Sequence, residues 1–319
     1  METLSKAQVI VCIIGFAVGD ALGVPAEFML REDLQANPVT GLCSGGAHGQ
    51  VTGTWSDDTS MTLCTLDSLT KKRIDYTDLM QRFSDWLWKG EYTAHDEVFD
   101  VGGTTRSAIY NFVHGKSALT SGETSDWTSG NGSLMRILPV VLYLYAHGKK
   151  NLDLEAATVI HNYSKCTHAN PRCLIACGIY TQIVFNVLKG QVITDAIHEG
   201  VANSLDFYQK NFDFAEYLDE FSTLTDIEQM KLDQVKSSGY VVDTLYAVLW
   251  CLLHYDNYQA TILAAVNLGD DTDTIAAIAG GIAGLSYGID AIPDDWLQAL
   301  AKKDYIEQLA VKFYDSLPK

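Results

Sequence analysis

Apolar residues recur at helical spacing along almost the whole chain, and no stretch shows the sustained period-two alternation of a half-buried sheet. The spacing predicts helices over 5–22, 62–69, 76–89, 105–114, 134–146, 153–163, 171–188, 193–208, 214–224, 241–254, 258–266, 296–300 and 305–313, with another entered through the apolar run 275–279. The segments 193–208 and 214–224 are the more polar and read as peripheral. No repeat of fixed period appears, and six prolines with no Ser- or Pro-rich tract leave no linker. The pattern predicts one all-α domain over 1–319, with 47% hydrophobic content to fill its core.

Polar residues interrupt this pattern at particular places. In the segment 5–22, Gly15, Gly19 and Gly23 fall four residues apart, which bares one helix face for close approach by another helix. Pro25 stops that helix and leaves Glu27 in the exit loop, where an acid is ordinarily solvated. The five glycines of 41–53 read as a mobile loop. Ser56, Asp57, Asp58 and Thr59 open the next helix, and Asp270, Asp271, Thr272, Asp273 and Thr274 open the helix at 275–279.

Capping accounts for one acid at each start. Two carboxylates about 4 Å apart repel by roughly 4 kcal/mol at an effective dielectric near 20, so such a cluster takes up protons or a cation. An all-oxygen set suits a hard divalent ion. Charged cap and metal site both remain open from spacing alone.

Charge narrows the partners. With 22 basic against 40 acidic residues the net charge is −18, which disfavours a nucleic-acid backbone or an anionic membrane surface. An anionic ligand then needs local help from cations or helix N-termini. The apolar run 9–18 is broken by Gly15, followed by Asp20 and too short to span a bilayer. Seven cysteines without paired C-x-x-C spacing read as reduced thiols of a cytoplasmic protein. Cys166, Cys173 and Cys177 raise the question of zinc, but Cys173 and Cys177 share an apolar helix face and read as core. Gly130, Gly132 and Ser133 precede a helix and suit either a diphosphate cradle or a plain glycine-rich cap. The adjacent His95 and Asp96 resemble the signature of HD phosphohydrolases, although the other seven histidines show no matching arrangement.

Four blocks, Gly19-Asp-Ala-Leu-Gly-Val-Pro-Ala-Glu27, Trp55-Ser-Asp-Asp-Thr59, Gly130-Asn-Gly-Ser-Leu-Met-Arg136 and Gly269-Asp-Asp-Thr-Asp-Thr274, together resemble the ADP-ribosylglycohydrolase family. The block Phe99-Asp-Val-Gly-Gly-Thr-Thr-Arg106 is similar to its bacterial branch, which includes the dinitrogenase reductase-activating glycohydrolases and ADP-ribosylarginine hydrolases. The resemblance implies a compact all-α domain with a binuclear Mg²⁺ or Mn²⁺ centre at helix N-termini. It implies that Ser56, Asp57 and Asp58 form one ligand group and Asp271, Asp273 and Thr274 the other. Ser56 stands where the family often has Thr, and Asp270 where it often has Gly, so Asp270 is expected near the metals without binding them.

By the same resemblance Glu27 is a mobile acid beside the metals and Asp100 an acid of catalysis. Asn131, Gly132 and Ser133 are expected on the diphosphate or ribose, with His168 and Tyr240 lining the cleft. The reaction it implies is hydrolysis of the N-glycosidic bond between ADP-ribose and a protein side chain, arginine first, with ADP-ribose as product. The other readings are a binding protein that sequesters an ADP-ribosylating toxin or a modified partner, and a metal-dependent phosphohydrolase.

Overall fold

The computed structural model describes residues 3–318. Its helices are α1 (Lys6–Gly23), α2 (Arg31–Ala36), α3 (Asp57–Leu69), α4 (Tyr76–Lys89), α5 (Gly103–Val113), α6 (Leu138–Ala146), α7 (Leu154–Lys165), α8 (Pro171–Leu188), α9 (Ile193–Asn211), α10 (Ala215–Leu218), α11 (Val241–His254), α12 (Tyr258–Val266), α13 (Thr272–Tyr287), α14 (Asp294–Ala299) and α15 (Lys303–Ser316). Among the described residues, bridge pairing is confined to three isolated pairs: Gly45 with Gln50, Glu123 with His168 and Gly130 with Tyr240.

Two predicted helices are reshaped. The segment 134–146 begins as a 3₁₀ turn, Leu134–Arg136, and becomes α-helical only at Leu138, because Pro139 lacks an N–H and is tolerated in a first turn. The segment 214–224 is a single α turn followed by a 3₁₀ stretch, Asp219–Gln229, which buries only Phe221, Leu224 and Ile227. So few apolar anchors cannot hold a full amphipathic helix.

The centre of the molecule is the contact of α1 with α13. A Cβ on Gly19 would lie 2.1 Å from the carbonyl oxygen of Ala276, and one on Gly15 would lie 2.6 Å from that of Gly280. The bare face of α1 therefore meets backbone rather than side chains, and Tyr258 seals the crossing by donating its hydroxyl to Gly15 O at 2.6 Å. At the last step of the stripe a Cβ on Gly23 would lie 2.3 Å from Cα of Asp273, so the end of α1 is pressed onto the start of α13. Lys6–Ala26 and Pro171–Leu188 are long and apolar enough to cross a bilayer by length and composition, which corrects the expectation for the first of them. The most apolar windows of the two are 94% and 89% buried within the fold.

The glycine-rich stretch 41–53, expected to be mobile, is paired across its own turn and tied to the rest of the fold at its C-terminal end. Gly45 and Gln50 exchange backbone hydrogen bonds at 2.8 and 3.2 Å, while Ala301 N donates to Gly53 O at 3.0 Å and Trp55 Nε1 to Ala301 O at 2.9 Å.

Candidate active site

At the first acidic start, Ser56 is the N-cap of α3 and its Oγ accepts from Asp58 N at 3.3 Å. The larger share of the capping comes from another helix. Asp20, fully buried in α1, accepts from Ser56 N at 2.9 Å, Thr59 N at 3.0 Å and Thr59 Oγ1 at 2.6 Å. Burial pushes its carboxyl up to about 6 against the pull of these donors. Because Asp20 takes the first-turn donors, Asp57 and Asp58 are not consumed as caps. Asp20 was not singled out from the sequence, although an acid inside an apolar helix must find donors and so carries a signal.

At the second start, Asp271 occupies the N-cap position of α13 yet makes no side-chain cap hydrogen bond, which disposes of the plain-cap reading there. Its Oδ2 accepts instead from Asn131 Nδ2 at 2.6 Å. Thr272 Oγ1 donates to Gly23 O at 2.8 Å, and Thr274 Oγ1 donates to Asp58 Oδ2 at 3.2 Å. That last bond joins the two acidic starts across 216 residues, and Ser56 Oγ donates to the same Asp58 oxygen at 3.1 Å.

Three buried oxygens, Asp58 Oδ1 and both of Asp273, have no hydrogen-bond partner among the described residues. Orphaned carboxylate oxygens at such depth are costly unless a proton or a cation meets them. Burial and mutual repulsion push the carboxyls of Asp57, Asp58 and Asp273 well above the usual range. Glu27, Asp271 and Asp273 can each place one carboxylate oxygen within 4.8 Å of the others, so the donors fit a hard divalent cation.

Glu27 reaches this cluster because its loop is stitched to the start of α13. Phe28 N donates to Asp270 O at 2.8 Å and Asp270 N to Met29 O at 2.9 Å, while the Asp270 side chain stays exposed at the cleft wall. The φ values of Phe28, Asp100 and Asp270, +66°, +47° and +64°, are left-handed, so strained backbone gathers around the acids. Glu27 is only 5% exposed; burial, then Asp100, Asp271 and Asp58, raise its carboxyl to about 10.

His48 supplies the missing partner. Its Nε2 lies 2.7 Å from Glu27 Oε2 and 4.0 Å from Asp100 Oδ1, and its ring sits between those of Phe28 and Phe99 at centroid distances of 5.8 and 5.2 Å. It comes from the tied glycine turn, and nothing in its spacing marks it.

Beside the acids lies a cleft of about 340 Å³ lined by Glu27, Asp57, Asp100, Asn131, Gly132 and His168 among others. Asn131 spends its amide on Thr244 Oγ1 at 2.9 Å as well as on Asp271. Ser133, expected on the ligand, has its hydroxyl turned into the core, where it accepts from Ser164 Oγ at 2.8 Å. Tyr240 pairs its backbone with Gly130 at the cleft edge, but its hydroxyl is bonded to Glu220.

His95 bonds Thr54 Oγ1 at 2.9 Å and Asp96 pairs with Lys302, so that pair joins no metal-ligating cluster among the described residues. Cys166, Cys173 and Cys177 are buried; Cys173 Sγ approaches Gly130 O at 3.4 Å and Cys177 Sγ approaches Ser133 Oγ at 3.7 Å, as core thiols do.

The family model described as ADP-ribosylglycohydrolase matches residues 1–319. The chain is 33% identical over 320 residues to ADP-ribosylarginine hydrolase Tri1 of Serratia proteamaculans, covering 100% of this chain and 81% of that one. It is 32% identical over 297 residues to ADP-ribosyl-[dinitrogen reductase] glycohydrolase of Rhodospirillum rubrum, covering 91% and 89%. A solved structure titled ADP-ribosylglycohydrolase-related protein complex superposes with a TM-score of 0.77 at 27% identity, covering 98% of both chains. Fold, acid cluster and likeness over the full length lead to one conclusion: the chain belongs to the ADP-ribosylglycohydrolase family and is homologous to its ADP-ribosylarginine hydrolase branch.

Proposed function

We propose that this protein hydrolyses the N-glycosidic bond between ADP-ribose and an arginine side chain of a modified protein, releasing ADP-ribose and so reversing ADP-ribosylation. The observation that carries the reading is the bond from Thr274 Oγ1 to Asp58 Oδ2, with the orphaned oxygens of Asp58 and Asp273 beside it. Two acidic helix starts are folded against each other next to a cleft, as a metal-dependent glycosidase requires. The arginine linkage is supported by the likeness to the ADP-ribosylarginine hydrolase of Serratia proteamaculans.

Ser56, Asp57, Asp58, Asp271, Asp273 and Thr274 would hold two Mg²⁺ or Mn²⁺ ions. When bound, the ions offset the carboxylate charge and supply Lewis acidity and a water of lowered pKa. The chain's own residues do the rest. Asn131, Gly132 and His168 bind and orient the ADP-ribose portion, with contacts from the Gly130–Gly132 backbone rather than the inward Ser133 hydroxyl. Glu27 and Asp100 stand at the side of the acid cluster where a bond to C1″ would break, and they move the proton between water and the leaving nitrogen. His48 holds Glu27 in place through the 2.7 Å contact.

The test is a panel of defined ADP-ribosylated substrates, linked through arginine, through serine, as acetylated ADP-ribose and through a nucleic-acid base, assayed with Mg²⁺, Mn²⁺ and EDTA. Release of ADP-ribose from the arginine substrate, lost in EDTA, is expected. Release of inorganic phosphate from nucleotides would make it a phosphohydrolase instead. Binding of a modified partner in EDTA without turnover in any metal would make it a sequestering protein.

A further inference from the structure

A buried cation stands outside the acid cluster. Arg136, in the turn Leu134–Arg136, has no exposed surface, and its guanidinium lies 4.7 Å over the Phe83 ring. Nη2 donates to Tyr163 O at 3.1 Å and to Thr167 Oγ1 at 2.6 Å, whereas Nε and Nη1 have no hydrogen-bond partner among the described residues. A guanidinium only donates. The bond to Thr167 therefore runs one way, with the threonine oxygen accepting.

Thr167 is itself fully buried and keeps one hydroxyl proton to give. His168 Nδ1 lies 2.9 Å from its oxygen. With that proton aimed at Nδ1, Nδ1 is the acceptor and the ring's own proton sits on Nε2. The opposite tautomer would set an N–H against the threonine oxygen and strand the hydroxyl proton, for which the described residues offer no other acceptor. The ring is neutral, because burial and then the Arg136 charge push its conjugate acid down to about 3.

The free edge of this ring faces the cleft. His168 is 3% exposed and Nε2 has no partner among the described residues, while the ring lies against the glycine turn: a Cβ on Gly132 would fall 2.8 Å from its Cε1. A nearly buried N–H with no partner, aimed at a cavity, points to a ligand acceptor there.

We propose that Arg136 and Thr167 form a one-way hydrogen-bond relay that fixes His168 as the Nε2–H tautomer, a neutral donor presented to an oxygen of a phosphate-bearing ligand. Arg136 and Thr167 are positioning residues, and His168 is the group that touches the ligand. The ligand rests on the function proposed above; the tautomer does not.

Long-range ¹H–¹⁵N correlation spectra of the full chain labelled with ¹⁵N-histidine read the tautomer directly, with the His168 signals assigned by their loss in His168→Gln. Wild type is expected to show a pyrrole-type Nε2 and a pyridine-type Nδ1. Thr167→Val is expected to mix or invert this pattern and to raise the ADP-ribose Kd about tenfold, the worth of one directed hydrogen bond. Thr167→Ser, which keeps the hydroxyl, restores both. A pyridine-type Nε2 in wild type overturns the relay, and that measurement decides even if Thr167→Val does not fold. So does a Thr167→Val protein that keeps both tautomer and affinity. If wild type shows the Nε2–H tautomer but binds neither ADP-ribose nor inorganic pyrophosphate, the relay stands and the proposed ligand falls.

Discussion

Among the buried carboxylates, Asp20 has donors on both oxygens and Asp273 has none on either. The difference separates an acid that builds the site from one left open to a cation. Asp271→Asn is expected to abolish metal-dependent release of ADP-ribose with unchanged far-ultraviolet circular dichroism; full activity would remove Asp271 from the metal set. For Asp100→Ala, kcat at saturating metal is expected to fall by about a hundredfold or more, the scale of a lost general acid or base, and an unchanged kcat would take it out of the chemistry. His48→Ala removes the contact at 2.7 Å that holds Glu27 and is expected to lower kcat/KM about tenfold. An equal kcat/KM in the variant would show that Glu27 is held without it.

Docking of α1 against α13 sets the site at the scale of elements, since the same contact carries Gly23 onto Asp273 and brings Asp20 to the start of α3. A methyl at Gly19 would meet the Ala276 carbonyl at 2.1 Å, and backbone in two packed helices cannot step aside cheaply. Gly19→Ala is therefore expected to cost about 1–3 kcal/mol or more, by the usual scale of overpacking, and to weaken Mn²⁺ binding along with stability. Calorimetric titration and thermal unfolding read the two effects. A stable variant with native Mn²⁺ affinity would mean that the acidic starts are aligned by something other than this crossing.

The acid cluster also reaches the stability of the whole molecule. In the folded, metal-free chain Glu27 keeps its proton up to about 10, against 4.5 ordinarily, and Asp57, Asp58 and Asp273 are shifted the same way. Between those values the folded state binds more protons than the unfolded one, so stability falls as pH rises through that window. In EDTA the Tm is expected to decline steadily from about pH 5 to about pH 9, and added Mg²⁺ or Mn²⁺ to raise it most at the alkaline end, where the carboxylates are free to bind. A Tm in EDTA that is flat or rising over this range would contradict the geometry of the cluster.

Local chemistry was enough to determine much of this protein. Helix periodicity recovers Tyr76–Lys89, Pro171–Leu188, Val241–His254 and Tyr258–Val266 to their ends, because each is bounded by its own cap, proline or turn within a few residues. The bare glycine face of α1 and the surplus of oxygen at 56–59 and 270–274 are equally local, and so were visible. Only the tertiary structure decided which groups meet. Thr274 bonds Asp58 over 216 residues, Asp20 caps a helix 36 residues away, His48 lands on Glu27, and the Ser133 hydroxyl faces the core instead of the cleft. None of these follows from spacing, since each depends on how closely two helices approach and on which side of a turn buries. That is settled by the packing of the entire core, not by neighbours in the chain.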